Sequence, residues 1–281
     1  MNTFNTYETA WCPGCGNHSI LKCLKTALEE LGKAPHEVLM VAGIGQAAKT
    51  PQYISANSFC GLHGRSLPAA VAAKIANEKL TVIVNTGDGD SYGEGGNHFI
   101  HNIRRNVDIT HFVNDNQIYG LTKGQASPTT CEGQVTEVQT NGSSNTPLNP
   151  ILMAIASGAG FVARAFSGDT EHLINIMKQA ILYEGYAIVD ILQPCVSFNK
   201  VNTFSYYKSR VYHLEEDYDS SNKILALQKS MEFDNQIPIG VIYKEIKPTF
   251  HQKNKVLSQG IPLLDNKTDV EIVKKLISEF I

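Results

Sequence analysis

A chain of 281 residues, 42% hydrophobic and 18% charged, can bury one large core or two modest ones. Its formal charge of −3, with lysines and arginines scattered rather than striped, carries no electrostatic footprint for nucleic acid. No run of about 18 apolar residues occurs, and the opening "MNTFNTYETAWC" lacks a basic start followed by an apolar stretch, so no membrane association and a cytoplasmic location are expected. Six cysteines are too sparse for a disulfide scaffold and are expected as thiols, metal ligands or core fillers.

In chain order, the segment 17–33 carries Ile20, Leu21, Leu24, Leu28 and Leu31 on one helical face and stops at Gly32, a suitable C-terminal cap. "EVLMVAGIG" reads as a buried strand, 65–79 as a helix, "LTVIVNTG" as a strand, 94–106 as a helix and "DITHFVND" as a strand. The segment 120–149 has no periodicity and is long for a structureless connection, a length that points to function. Helix 150–160, strand 161–166, helix 169–185 and strand 186–192 follow. This alternation predicts an α/β fold: a mostly parallel sheet with helices on both faces, over residues 1–205. Beyond it the pattern weakens, and 206–281 is expected to be a C-terminal extension packing on the domain or on a partner.

Ligands of such sheets sit outside the carboxyl ends of the strands. Four strand ends here carry chemistry: "GIGQAAK", "GDGDSYGEGGN", "NDNQIYGLTKGQ" and "QPCVSFN". In "GDGD", Gly87 and Gly89 let backbone approach a phosphate, and Asp88 offers a carboxylate to a hard cation. Asn116 follows 28 residues later, one helix and one strand away, and supplies a neutral hard oxygen. A diphosphate bridged by Mg²⁺ needs this combination; either turn alone would read as an ordinary solvated turn.

The stretch from Gly87 through Thr129 closely resembles the thiamine diphosphate motif in the beta subunits of 2-oxoacid:ferredoxin oxidoreductases, and "WCPGCGNHSI", "LHGRSLPAAVAAKIAN" and "DILQPCVSFN" resemble the same family in the same order. The resemblance covers roughly residues 8–205. It implies a thiamine diphosphate-binding fold, with Mg²⁺ held by Asp88, Asn116 and the Ile118 carbonyl. Gly89, Asp90, Gly120 and Leu121 would line the diphosphate, and Ile44, Gly45, Gln46, Ala47 and His63 would also touch the cofactor. It further implies coenzyme A-dependent oxidative decarboxylation of a 2-oxo acid, an alpha or fused gamma-alpha partner subunit, ferredoxin as electron acceptor, and often a [4Fe-4S] cluster.

In that family Cys12, Cys15 and Cys195 look like cluster ligands. The spacing alone is weaker, since a lone C-x-x-C also fits half a zinc site or a redox pair. Where cluster-bearing relatives read G-I-G-C, this chain has Gln46, a hard oxygen donor poorly matched to cluster iron. Three readings stay open: a cluster with a labile fourth site, recruitment of Cys60, or no cluster, with the thiols as remnants or zinc ligands. Cys23 and Cys131 read as ordinary thiols.

Lys49 and Lys123 lie on loops beside the expected cofactor, where either could neutralise a substrate carboxylate or a coenzyme A phosphate; a solvated lysine is the plainer reading. His98, His101 and His111 read as helix or strand histidines. "GIGQAA" also matches G-x-G-x-x-A, but Pro51 and the lack of an acidic residue about 20 positions on argue against a nicotinamide site. Two other functions remain in view: a non-redox thiamine diphosphate-dependent decarboxylase or lyase subunit, and a non-catalytic zinc-bearing assembly subunit.

Overall fold

The computed structural model describes residues 3–265, 267 and 269–280. Its strands are β1 (Val38–Ala42), β2 (Asn57–Cys60), β3 (Thr81–Gly87), β4 (Ile109–Asp115), β5 (Phe161–Phe166), β6 (Tyr186–Leu192), β7 (Val211–His213) and β8 (Ile237–Lys244). They form one sheet in the order β2-β1-β3-β4-β6-β5-β8-β7. Every pairing is parallel except β5 with β8. The helices are α1 (Gly16–Glu30), α2 (Ser66–Ala76), α3 (Gly96–Arg105), α4 (Pro150–Ala156), α5 (Thr170–Leu182), α6 (Phe204–Lys208), α7 (Lys223–Ser230), α8 (Phe250–Lys253) and α9 (Val270–Ser278).

Strand alternation sorts the core into two layers. Met40, Ile83 and Phe112 face one side, where Leu24 and Leu28 of α1 and Leu173, Ile176 and Met177 of α5 cover them. Their neighbours Val41, Val82, Val84 and Val113 face the other, under Leu67 of α2, Phe99 and Ile103 of α3, and Ile151 and Ile155 of α4. The predicted α/β sheet with helices on both faces is what the chain forms.

The part beyond residue 205 does more than pack on this frame. Strand β8 joins the sheet beside β5, and β7 extends it to an edge, over a small core of Phe166, Leu192, Tyr207, Ile237 and Ile239. Pro238 and Gly240 interrupt the β8 sequence, and both argue against a central strand. Gly240 takes φ +140° beside a register shift of the β5 pairing between Val162 and Ala163, and Pro238 lies outside that pairing, opposite Tyr212 of β7. No helix among the described residues is long and apolar enough to cross a membrane.

Strand β1 has its successor β2 on one side and β3 on the other, so the chain reverses direction of travel across the sheet at the β1/β3 crevice. Such a reversal opens a gap above the carboxyl ends of the strands.

Candidate active site

That gap is a cleft whose walls come from three strand ends. Ile44, Gly45, Gln46 and Ala47 follow β1; Gly87, Asp88, Gly89 and Asp90 close β3; Asn116, Ile118, Tyr119, Gly120, Leu121 and Thr122 follow β4, and His63 enters from the turn before α2. Every residue expected to hold Mg²⁺ or line the cofactor is in this wall. Lys49 and Lys123 are not. Lys49 sits on the short 3-10 turn Ala47–Gln52, and Lys123 is exposed on a left-handed turn at φ +81°.

Asp88 is 2% exposed. Its Oδ2 accepts hydrogen bonds from Ser127 Oγ at 2.5 Å and Thr129 Oγ1 at 2.8 Å. Burial drives its pKa up, and these hydroxyls and the Gly89 amide only partly oppose the shift. A buried carboxylate with neutral partners has one oxygen edge committed and a charge that a hard cation in the cleft would offset. Asn116 and Ile118 flank Gln117, a buried residue held at φ +57°. That strained conformation is pinned on both sides, by Gln117 N donating to Asp115 Oδ1 at 3.1 Å and Thr130 Oγ1 donating to Gln117 O at 2.6 Å. It sends Asn116 and Ile118 into the same wall. Asn116 is oriented through Nδ2, which donates to Gln193 Oε1 at 3.0 Å.

Asp90 has a different part from simple lining. Its Oδ1 gathers His63 Nδ1 at 2.6 Å, Gly64 N at 2.7 Å and Ile44 N at 3.0 Å, which ties the β1 turn and the "LHGR" turn to the π-helical turn Gly89–Glu94. Its Oδ2 is buried with no hydrogen-bond partner among the described residues. Gly89 lies under the ring of Tyr119, whose hydroxyl donates to Glu94 Oε2 at 3.0 Å. A Cβ on Gly89 would overlap that ring, so Gly89→Ala is expected to displace Tyr119 and the wall through Thr122. Cofactor affinity should fall by roughly tenfold with little loss of melting temperature, a change titration calorimetry resolves.

Behind the cleft is a buried polar layer that sequence reading missed. Thr129 Oγ1 bridges Asp88 to Asp115 Oδ1 at 2.7 Å, and Tyr92 donates to Asp190 Oδ1 at 2.8 Å. Burial raises Asp190 to about 6, partly checked by the Arg164 guanidinium. His111 is buried among Thr86, Ser91 and Tyr186, and burial lowers it to about 3, so its imidazole is neutral. The available signal was the hydroxyl run "SPTT" inside the aperiodic segment 120–149, which clasps Asp88 and Asp115.

A second chamber adjoins the cleft. Trp11, Cys12, Cys15, Gln46, Gly120, Gln193 and Cys195 line it, and it shares Gln46, Asn116 and Gly120 with the cleft. Gly14 at φ +79° folds the C-x-x-C turn, and Cys15 caps α1. Cys195 arrives just past the end of β6. Burial pushes the Cys15 thiol up to about 11, with Cys195 and Cys12 close enough to add to the rise, while Gln193 Nε2 approaches its sulfur at 3.4 Å. Trp11 Nε1 donates to Gln46 O at 2.8 Å, fixing the backbone of that residue, and Gln46 Oε1 is buried without a partner among the described residues. Cys60 is exposed at the end of β2 and is not in this wall. Cys23 is buried in the core, and Cys131 lies half-buried near Gln117.

A parallel sheet with a Gly-Asp-Gly turn at one strand end and an asparagine at the next is the frame of a thiamine diphosphate enzyme. The family model described as "Thiamine pyrophosphate enzyme, C-terminal TPP binding domain" matches residues 38–191, and the model for the C-terminal part of the pyruvate ferredoxin oxidoreductase beta subunit matches 195–259. The 2-oxoacid:ferredoxin oxidoreductase subunit beta of Saccharolobus solfataricus is 42% identical over 280 residues, covering 94% of this chain and 90% of the relative. The 2-oxoglutarate synthase subunit KorB of Methanocaldococcus jannaschii is 34% identical, covering 85% of this chain and 89% of the relative. In three dimensions the chain superimposes with a TM-score of 0.90 and 34% identity on a chain of the 2-oxoglutarate:ferredoxin oxidoreductase from Magnetococcus marinus, solved with 2-oxoglutarate, coenzyme A and succinyl-CoA bound; the match covers 96% of this chain and 92% of that one. The chain belongs to the family of 2-oxoacid:ferredoxin oxidoreductase beta subunits.

Proposed function

We propose that this chain is the cofactor-binding subunit of an enzyme that oxidatively decarboxylates a 2-oxo acid, transfers the acyl group to coenzyme A and passes two electrons, one at a time, to ferredoxin. The observation that carries this reading is the shared wall: a cleft fit for a magnesium diphosphate and a chamber lined by three cysteines meet at Gln46, Asn116 and Gly120. A non-redox thiamine enzyme has no use for the second compartment.

Mg²⁺ would be held by Asp88, Asn116 and the Ile118 carbonyl, a set of hard oxygens with a single charge, as a cation already bridging a diphosphate prefers. When bound, thiamine diphosphate supplies a thiazolium carbon that adds to the ketone and takes up the electron pair as carbon dioxide leaves. Around it, Asp90 positions His63, and His63 Nε2 faces Glu94 Oε2 at 3.3 Å, which sets a hydrogen-bonding edge at the cleft mouth. Gly45, at φ +141° with open space where a Cβ would be, leaves the strand-end backbone accessible to a phosphate. Lys49 and Lys123 remain proposed partners for the carboxylate of the substrate or a phosphate of coenzyme A, reached from outside the wall.

Cys12, Cys15 and Cys195 would hold an iron-sulfur cluster. Iron would also convert the high-pKa Cys15 thiol into the thiolate that ligation needs.

The carboxylate that activates the aminopyrimidine ring is assigned to an alpha or fused gamma-alpha partner. The isolated chain is therefore expected to reduce no acceptor with any 2-oxo acid and coenzyme A, and to gain that activity on adding the partner. Robust turnover by the chain alone would overturn this reading. Purification without oxygen decides between the redox and non-redox readings, since broad visible absorbance that bleaches in air belongs only to the first.

A further inference from the structure

Beyond the carboxyl end of β5, away from the cleft, a different set of ligand-type side chains converges. Among the described residues, Asp169, His172 and His213 are the only trio of His, Cys, Asp or Glu whose donor atoms all lie within 4.8 Å of one another. Asp169 caps α5, its Oδ1 accepting the His172 amide at 3.3 Å. Its Oδ2 meets His213 Nε2 at 2.7 Å. His213 is the last residue of edge strand β7 and comes from 44 residues further along the chain. The imidazoles of His172 and His213 stack, with centroids 4.6 Å apart and planes 18° from parallel.

A helix cap and an ion pair account for both oxygens of Asp169 and for one nitrogen of His213. They do not account for a second imidazole laid against the first, that of His172, whose Nδ1 is buried with no hydrogen-bond partner among the described residues. Glu30, Glu171 and Lys178 border the same surface cleft, and Lys178 is engaged with Glu30 at 2.6 Å. Three carboxylates against one ammonium give the cleft a field that draws cations.

We propose that Asp169, His172 and His213 form a binding site for a divalent transition-metal ion of the zinc class, which clips edge strand β7 to the start of α5. Two imidazoles and one carboxylate are the donor set of such ions, whereas Mg²⁺ and Ca²⁺ prefer oxygen alone. Bonds of 2.0–2.1 Å place tetrahedral donors roughly 3.3 Å apart. The His213 side chain is 60% exposed and free to rotate into that arrangement. Strand β7 is three residues long and pairs with β8 alone, so a cross-link at its end binds the folded state and stabilises it by mass action.

Cobalt separates this site from the thiols, because sulfur ligation adds intense near-ultraviolet charge-transfer bands that nitrogen and oxygen ligation lacks. Co²⁺ titrated into the full chain, with magnesium and thiamine diphosphate in excess, is expected to fill one equivalent that shows visible bands without sulfur bands. His213→Ala and Asp169→Asn should each weaken that equivalent by at least the roughly 10- to 100-fold lost when a residue that merely supports a metal ligand is removed. Asparagine caps helices as well as aspartate, so Asp169→Asn keeps α5. In metal-free buffer both variants should melt with the wild type, and Zn²⁺ should raise only the wild-type midpoint. Cobalt bound solely with sulfur bands, or bound equally well by both variants, would overturn the assignment.

Discussion

Asp88→Ala is expected to yield a folded chain that no longer carries thiamine diphosphate through gel filtration. The substitution removes the only charged protein ligand proposed for Mg²⁺ and leaves one amide and one carbonyl. Taking one partner from a buried ion pair costs roughly 3–5 kcal/mol, more than a hundredfold in affinity. The fold should survive, because Asp88 is a burden on the apo chain: burial pushes its pKa up, opposed only in part by hydrogen bonds from Ser127, Thr129 and the Gly89 amide. The hydroxyls it releases keep other partners, Thr129 through Asp115 and Ser127 through contacts with Thr129 and Thr130 at 3.3 Å. Retention of cofactor at the wild-type level by a variant with an unchanged melting curve would move the metal elsewhere in the cleft.

The second large effect is expected at Gln46. In the proposed cluster chamber its Oε1 would stand at the fourth position as a neutral, hard donor, where iron favours an anionic, soft thiolate. Protein purified without oxygen should then carry a cluster with one weakly held iron, and air should bleach it quickly. Gln46→Cys should raise iron per chain and slow bleaching several-fold, with the Trp11 bond to the Gln46 carbonyl keeping the backbone in place. Cys60→Ser should change neither quantity, since Cys60 lies outside the chamber. Equal iron and equal bleaching rates in wild type and Gln46→Cys would mean that position 46 does not face the iron.

What could be read from the sequence follows from how each feature is encoded. Strand β1 is an unbroken apolar run and β3, β4 and β6 are mostly apolar, and the ends of β1, β3 and β4 carry Gly, Asp or Asn, so strand and ligand are written side by side. Reading those ends located the cleft wall from Ile44 to Leu121. The two lysines lie outside that wall, and loop proximity in sequence does not fix the direction of a long side chain. Ser127 and Thr129 were hidden for another reason: a hydroxyl that supports a carboxylate from 39 or 41 residues away leaves no local pattern. Strand β8 was masked by Pro238 and Gly240, of which Gly240 sits beside a register shift against β5 and Pro238 opposite β7, placements that only the folded sheet displays. His172 and His213 belong to a helix and an edge strand, and nothing in either segment announces the other.

The wall common to cleft and chamber makes the two compartments one thermodynamic object. Gln46, Asn116 and Gly120 cannot be ordered on one face and left loose on the other. Linkage then demands reciprocity: by whatever factor a filled chamber tightens the grip on the diphosphate, a bound diphosphate must tighten the hold on what the chamber contains. A chain stripped of one cofactor would hold the other more weakly by that same factor.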